Sequence, residues 1–183
     1  VYINYILNER FAVTPENNIP DGFSLSAEGT ASGVAYTPGS AYRDDQNGFL
    51  LKNTADIPEI ALKKSFENDN METTVSWTML LPEKQNGVSV SLLSGNTETV
   101  SVKTLNGGIY ADNEMLKSDY NANLWYNFCL KINRITKTYD VLINYKTVKS
   151  AVPYSGDVID GISFKKTASG IGELLIDDVK VYK

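Results

Sequence analysis

Apolar and polar residues alternate along short stretches of this chain, and each stretch ends in Gly, Pro, Asn, Asp or Ser. The three-to-four-residue repeat of an amphipathic helix is nearly absent. In "TTVSWTMLL", Val75, Trp77, Met79 and Leu81 form one row and Thr74, Ser76 and Thr78 the other. In "LWYNFCLKIN" the apolar row is Leu124, Tyr126, Phe128, Leu130 and Ile132, which leaves Trp125 on the row of Asn127, Lys131 and Asn133. Twelve such segments run from "VYINYIL" to "GELLIDDVKVY". Asn-Gly pairs at 47–48, 86–87 and 106–107 signal hairpins, because both residues tolerate positive φ; the last, between "VSVKTL" and "GIYAD", is the clearest. The pattern predicts an all-β chain folded over 1–183 as one antiparallel two-sheet β-sandwich, a jelly roll. Its expected core includes Val75, Trp77, Met79, Phe128, Leu130, Val141, Ile143, Phe164, Val179 and Val181.

The closing segment poses a problem for this pattern. Strict alternation puts Leu175, Asp177, Val179 and Val181 on one face, so Asp177 points where the valines point. A carboxylate on a core-facing row is costly unless a backbone N–H, a basic side chain or a metal ion satisfies it. Trp125 is a second exception, an outward ring that either packs beneath a connection or stacks on a sugar.

Composition narrows the chemistry. Hydrophobic residues make up 42% and charged residues 21%, and no run approaches the roughly 18 apolar residues of a spanning helix, so a soluble domain is expected rather than a membrane partner. Seventeen basic against 22 acidic residues give a net charge of −5, which disfavours nucleic acid. The chain has no histidine, which removes Ser-His-Asp catalysis, imidazole proton transfer and His-ligated zinc. Its one cysteine, Cys129, reads as a small strand residue and forms no intrachain disulfide. A start in mid-strand at Val1, without an initiator methionine, leads to the expectation of a piece of a longer protein.

Carboxylate chemistry finds little support. A sandwich glycosidase needs two carboxylates about 5–9 Å apart on one row, yet Asp44-Asp45 and Asp177-Asp178 are adjacent residues that diverge if extended. A lyase needs a Tyr or His base beside Arg or Lys; Tyr42-Arg43 could supply one, but no second basic-aromatic cluster is placed beside it. No enzyme activity is expected, with a sandwich lyase or glycosidase as the alternative. A binding module asks only for an exposed ring and hydrogen-bonding side chains. The loop "TPGSAYRDDQNG" offers Tyr42, Arg43 and Asp44, bordered by Trp125, as either a solvated turn or a small sugar pocket. A cell-surface adhesion or protein-interaction domain is a third option.

"LWYNFCLKINRITKTYDVLIN" followed by "GELLIDDVKVY" resembles the C-terminal half of concanavalin A-like and laminin G-like jelly-roll domains, and most of all bacterial carbohydrate-binding modules such as family 66. The turn departs from their usual Asn-Gly, having Asn144-Tyr145 instead. The resemblance implies a secreted or cell-surface module that binds a plant or microbial polysaccharide or oligosaccharide, of fructan or pectin type, beside catalytic domains of the same parent chain. It also implies a structural Ca²⁺ held by Glu9 and Asp177, against the simpler alternative that Asp177 accepts backbone N–H groups or pairs with Lys or Arg. The acidic surface favours a neutral glycan unless Arg43 or calcium bridges to uronate carboxylates.

Overall fold

The computed structural model describes residues 2–12, 14, 18–27, 34–37 and 48–183. Among them are fifteen strands and no helix, arranged as two antiparallel sheets packed face to face. The first sheet contains β1 (Tyr5–Glu9), β3 (Val34–Thr37), β4 (Gly48–Asn53), β6 (Glu72–Leu80), β11 (Trp125–Asn133), β12 (Thr138–Ile143), β13 (Lys146–Pro153) and β15 (Gly172–Tyr182). The second contains β2 (Phe23–Ala27), β5 (Ile60–Ser65), β7 (Val88–Ser94), β8 (Thr97–Leu105), β9 (Gly108–Ala111), β10 (Glu114–Lys117) and β14 (Gly161–Lys166). Strand order is β13-β12-β11-β6-β15-β4-β3 in the first sheet, with β1 pairing β15 beyond the end of β4, and β10-β9-β8-β7-β14-β5-β2 in the second.

The sandwich is the expected fold, and all ten residues assigned to its core are buried. At the centre Trp77 stacks on Phe128 of the neighbouring strand, with centroids 5.4 Å apart and an interplanar angle of 7°. It also meets Phe164 of the opposite sheet edge-on at 6.4 Å, a geometry that suits the ring quadrupole. The sheets are further tied at one end, where Tyr139 donates its hydroxyl to Asp112 Oδ2 at 2.5 Å. Burial, then that hydrogen bond, pushes the Tyr139 phenol far above its usual range.

Three strands escaped the sequence reading for physical reasons. The strands β3 and β10 are only four residues long, and β13 is an edge strand whose mostly exposed residues show no two-residue period. The first strand runs Tyr5–Glu9 rather than from Val1, and Leu124 lies exposed just before β11. Of the three Asn-Gly pairs, 106–107 makes the β8–β9 hairpin with φ of 50° and 78°. Gly87 instead belongs to a connection between sheets, and Asn47 lies outside the described residues.

The reading of β15 needs correction at Asp177. Its register against β6 shifts between Asp177 and Lys180, and Asp178 sits at φ 49°. One extra residue there reverses the alternation. Leu174 and Ile176 before the bulge and Val179 and Val181 after it all join the core, while Asp177 pairs with Thr78 on the outer row. The carboxylate is therefore not on the valine face. It is nonetheless only 1% exposed, and its Oδ1 accepts the Asp178 N–H at 2.7 Å, which helps to hold the bulge.

One core-facing residue is a cation. Lys166 continues the inward row of Ile162 and Phe164, is fully buried, and donates to Gln85 Oε1. Burial lowers its pKa from 10.5 to about 8. Between those values the unfolded chain holds the proton more tightly than the folded one, so this residue's contribution to stability rises with pH through that window. Below pH 8 the full penalty applies, on the order of 3 kcal/mol. Lys166→Met is expected to stabilise the fold by about 1–2 kcal/mol at pH 7, after loss of the Gln85 contact, with the gain shrinking towards pH 10. Urea melts of both proteins at pH 7 and pH 10 measure this; a constant difference would contradict it.

Candidate functional site

The outer face of the first sheet carries the richest chemistry among the described residues. Register places its side chains in rows across β15, β6 and β11: Leu175, Leu80 and Trp125; then Asp177, Thr78 and Asn127; then Lys180, Ser76 and Cys129; then Tyr182, Thr74 and Lys131. The bulge sets the last two rows. Without it Lys180 and Tyr182 would face inward and the valines outward.

Trp125 is half-buried and leans across the sheet. A side chain at position 48 would come within 3.8 Å of its Cη2 and 3.3 Å of the Ile176 carbonyl oxygen. The indole thus reaches over Leu80 and Leu175, both nearly fully buried, towards β4, and Gly48 makes room for it. Thr37 of β3 is the register partner of Gly48; the sequence reading also assigns Tyr42, Arg43 and Asp44 to the candidate site. Those three residues lie outside the described residues.

Further along the same face a groove of about 360 Å³ opens. Ser76, Asn127 and Cys129 form its floor, Leu142 and Tyr145 one wall, and Tyr5 with Tyr182 the other. The latter two rings pack edge to face, with centroids 5.6 Å apart at 74°. Burial pushes the Cys129 thiol up, against the pull of nearby Lys131, so the sulfur is a poor nucleophile. The Tyr182 phenol is likewise held above its ordinary value, first by burial. Lys131 and Lys180 supply the groove's charge, and no carboxylate is among its described lining residues.

Tyr145 is the unusual member. Asn144 and Tyr145 form the two-residue turn between β12 and β13 at φ 49° and 67°, the mirror-image turn that normally calls for glycine at the second position. Its departure from Asn-Gly left the turn type in doubt at the sequence level, and the structure resolves it. Asn144 stabilises the turn, accepting Asn127 N–H through Oδ1 at 2.9 Å and donating its own N–H to Asn127 O at 2.8 Å. A bulky ring is thereby held in a left-handed conformation while 82% exposed, where it contributes little to packing.

The sequence reading found Trp125 but not the tyrosines. Tyr182 was already on the row opposite the valines, whereas Tyr5 sits in a terminal strand and Tyr145 in a turn, where alternation says nothing. On the second sheet the outward rows hold the small residues Ser89, Ser91 and Ser101. There they hydrogen-bond to one another at 2.8–3.3 Å. Glu9 lies opposite Val179, two positions along β15 from Asp177, and its carboxylate accepts Phe11 N–H. No group of three or more Asp, Glu, Cys or His side chains suited to a metal occurs among the described residues.

No protein-family model matches the sequence, and no curated protein is similar enough to it to match. Solved structures do match in fold. A sialidase superposes with a TM-score of 0.73 at 11% identity, over 99% of this chain and 19% of its own. Domain 4 of a GH43 extracellular arabinanase from Geobacillus stearothermophilus, solved with arabinotriose, gives 0.59 at 11% identity, covering 99% and 93%. The carbohydrate-binding module CBM66 from Bacillus subtilis gives 0.55 at 7%, covering 88% and 96%. The chain thus spans about a fifth of the sialidase and nearly all of the two smaller domains. It has the sandwich fold shared by carbohydrate-binding modules and by domains of carbohydrate-active enzymes, in line with the expected resemblance.

Replacing Tyr145 by Gly relieves the left-handed strain at little packing cost. The variant is expected to be as stable as the parent or more so, by up to about 1 kcal/mol. Chemical denaturation measures this, and a loss of more than about 1 kcal/mol would mean that Tyr145 is structural.

Proposed function

We propose that this domain is a non-catalytic carbohydrate-binding module that holds an extracellular glycan along the outer face of its first sheet. The observation that carries this reading is the exposed Tyr145 ring, kept in a strained turn above a groove walled by Tyr5 and Tyr182. Flat rings beside hydrogen-bonding side chains suit the apolar face and hydroxyls of a sugar. The fold is compatible, since the similar structures include a carbohydrate-binding module and an arabinanase domain solved with arabinotriose. Secretion beside a catalytic domain belongs to the same proposal, as do fructan and pectin as candidate ligands. Tyr42, Arg43 and Asp44, proposed with Trp125 as ligand-binding residues, lie outside the described residues.

A lyase is the second reading, because Tyr and Lys side chains meet in this groove. Against it, burial holds the Tyr182 phenol protonated, the wrong direction for a general base. Affinity electrophoresis over levan, arabinan, xylan, pectin and β-glucan, run with reducing-sugar and unsaturated-product assays, separates the readings. Retardation without product is expected, with affinity in the micromolar to millimolar range. Tyr145→Gly and Trp125→Ala should each weaken binding about tenfold, and Tyr145→Gly should do so without loss of stability. Product would make the protein an enzyme, and neither binding nor product would favour a protein partner.

The metal forms a separate proposal. A Ca²⁺ between Glu9 and Asp177 would need backbone carbonyls for most of its six to eight oxygens. Added calcium is then expected to raise the melting temperature by several degrees over EDTA-treated protein, as binding to the native state alone requires. Identical melts would exclude it.

A further inference from the structure

The groove's polar equipment is one-sided. Lys131 and Lys180 flank its floor two strands apart and one row out of line, about 12 Å between backbones, and no Asp or Glu is among the described residues that line it. This is unexpected in a chain with a net charge of −5. The nearest carboxylates leave Lys131 without an ion pair and give Lys180 only a long, shared one. Asp140, the register partner of Lys131, turns its Oδ1 to the Ala151 N–H at 2.8 Å. Asp178 approaches Lys180 only to 3.9 Å and is also shared with Arg10 at 3.6 Å. Among the described residues Lys131 makes no ion pair, and it is exposed. A site for neutral sugars usually needs acceptors as well as donors, because each hydroxyl donates as well as accepts. Charged donors around tyrosine rings instead match a ligand that brings its own anionic acceptor.

We propose that the groove recognises an acidic sugar, with Lys131 and Lys180 gripping its carboxylate while Tyr145 or Tyr182 stacks on the ring. The inference rests on the reading of this face as glycan-binding and reverses the preference for neutral glycans suggested by net charge. The carboxylate could belong to a uronate within a polymer or to a terminal sialic acid, since both present the same group on a pyranose.

The test uses the full 183-residue chain and isothermal titration with polygalacturonate, alginate and glucuronoxylan in one arm and sialyllactose in the other. Fully methyl-esterified polygalacturonate, levan and arabinan serve as neutral controls, and dextran sulfate as a polyanion without carboxylates. The expected result is binding to an acidic probe at least about tenfold tighter than to the ester or the neutral polymers. Lys131→Met should lose about tenfold in affinity, Lys131→Arg should retain most of it, and neither should change the melting temperature, since the residue is exposed. Equal binding of ester and acid, with Lys131→Met unaffected, would overturn the charge assignment but leave a glycan-binding module. Equal affinity for dextran sulfate would overturn it in favour of general polyanion adhesion. No binding to any probe, acidic or neutral, would overturn both the assignment and the function it rests on.

Discussion

A single extra residue in the last strand governs how this sandwich is built. β15 lies between β6 on one side and β4 followed by β1 on the other, so its alternation has to serve two halves of a sheet. The bulge at Asp177–Val179 lets Leu174 and Ile176 and then Val179 and Val181 all face the core. In doing so it delivers Asp177, Lys180 and Tyr182 to the outer surface. The local cost is a left-handed Asp178, offset by the Asp177 carboxylate that accepts its N–H and by the ion pairs of Asp178 with Arg10 and Lys180. Core and groove are therefore two products of the same backbone irregularity.

That irregularity also marks the limit of what could be read from the sequence. Where alternation is unbroken, as in Val75, Trp77 and Met79 or Phe128 and Leu130, burial follows from the two-residue period alone. A bulge leaves no simple trace in composition, and the doublet Asp177-Asp178 read as a charged residue in the core rather than as the clamp of a parity change. The exposed tyrosines were equally hidden. Positions near a terminus or in a turn have no facing row until the strands around them are paired, so Tyr5 and Tyr145 acquire meaning only from register. Trp125 was legible because it breaks the pattern of a long strand; it is half-buried, reaching over Leu80 and Leu175 at the border of the exposed face.

The two outer faces divide the labour. That of the second sheet carries short hydroxyl side chains at its centre, of which Ser89, Ser91 and Ser101 satisfy one another. That of the first holds long side chains that do not, including a lysine without an ion pair among the described residues and a ring in a strained turn. Polar groups that bind each other are quiet in recognition, whereas those left with unused donors gain most from an incoming acceptor. Even the interior departs from pure packing, with the Trp77 indole N–H lacking a hydrogen-bond partner among the described residues and Lys166 tied to an amide.

The edge strand β13 has a bearing on how such domains behave in company. Its pairing with β12 shifts register twice, Ala151 adopts φ 55°, and Lys146, Lys149 and Pro153 punctuate its length. A neighbouring chain that tried to add a strand there would find no continuous ladder and two lysines, one of them held by Glu114. The other edges, β3, β2 and β10, are only four or five residues long. Copies crowded together at high local concentration would therefore touch without fusing, where an open, regular β-edge would begin to aggregate.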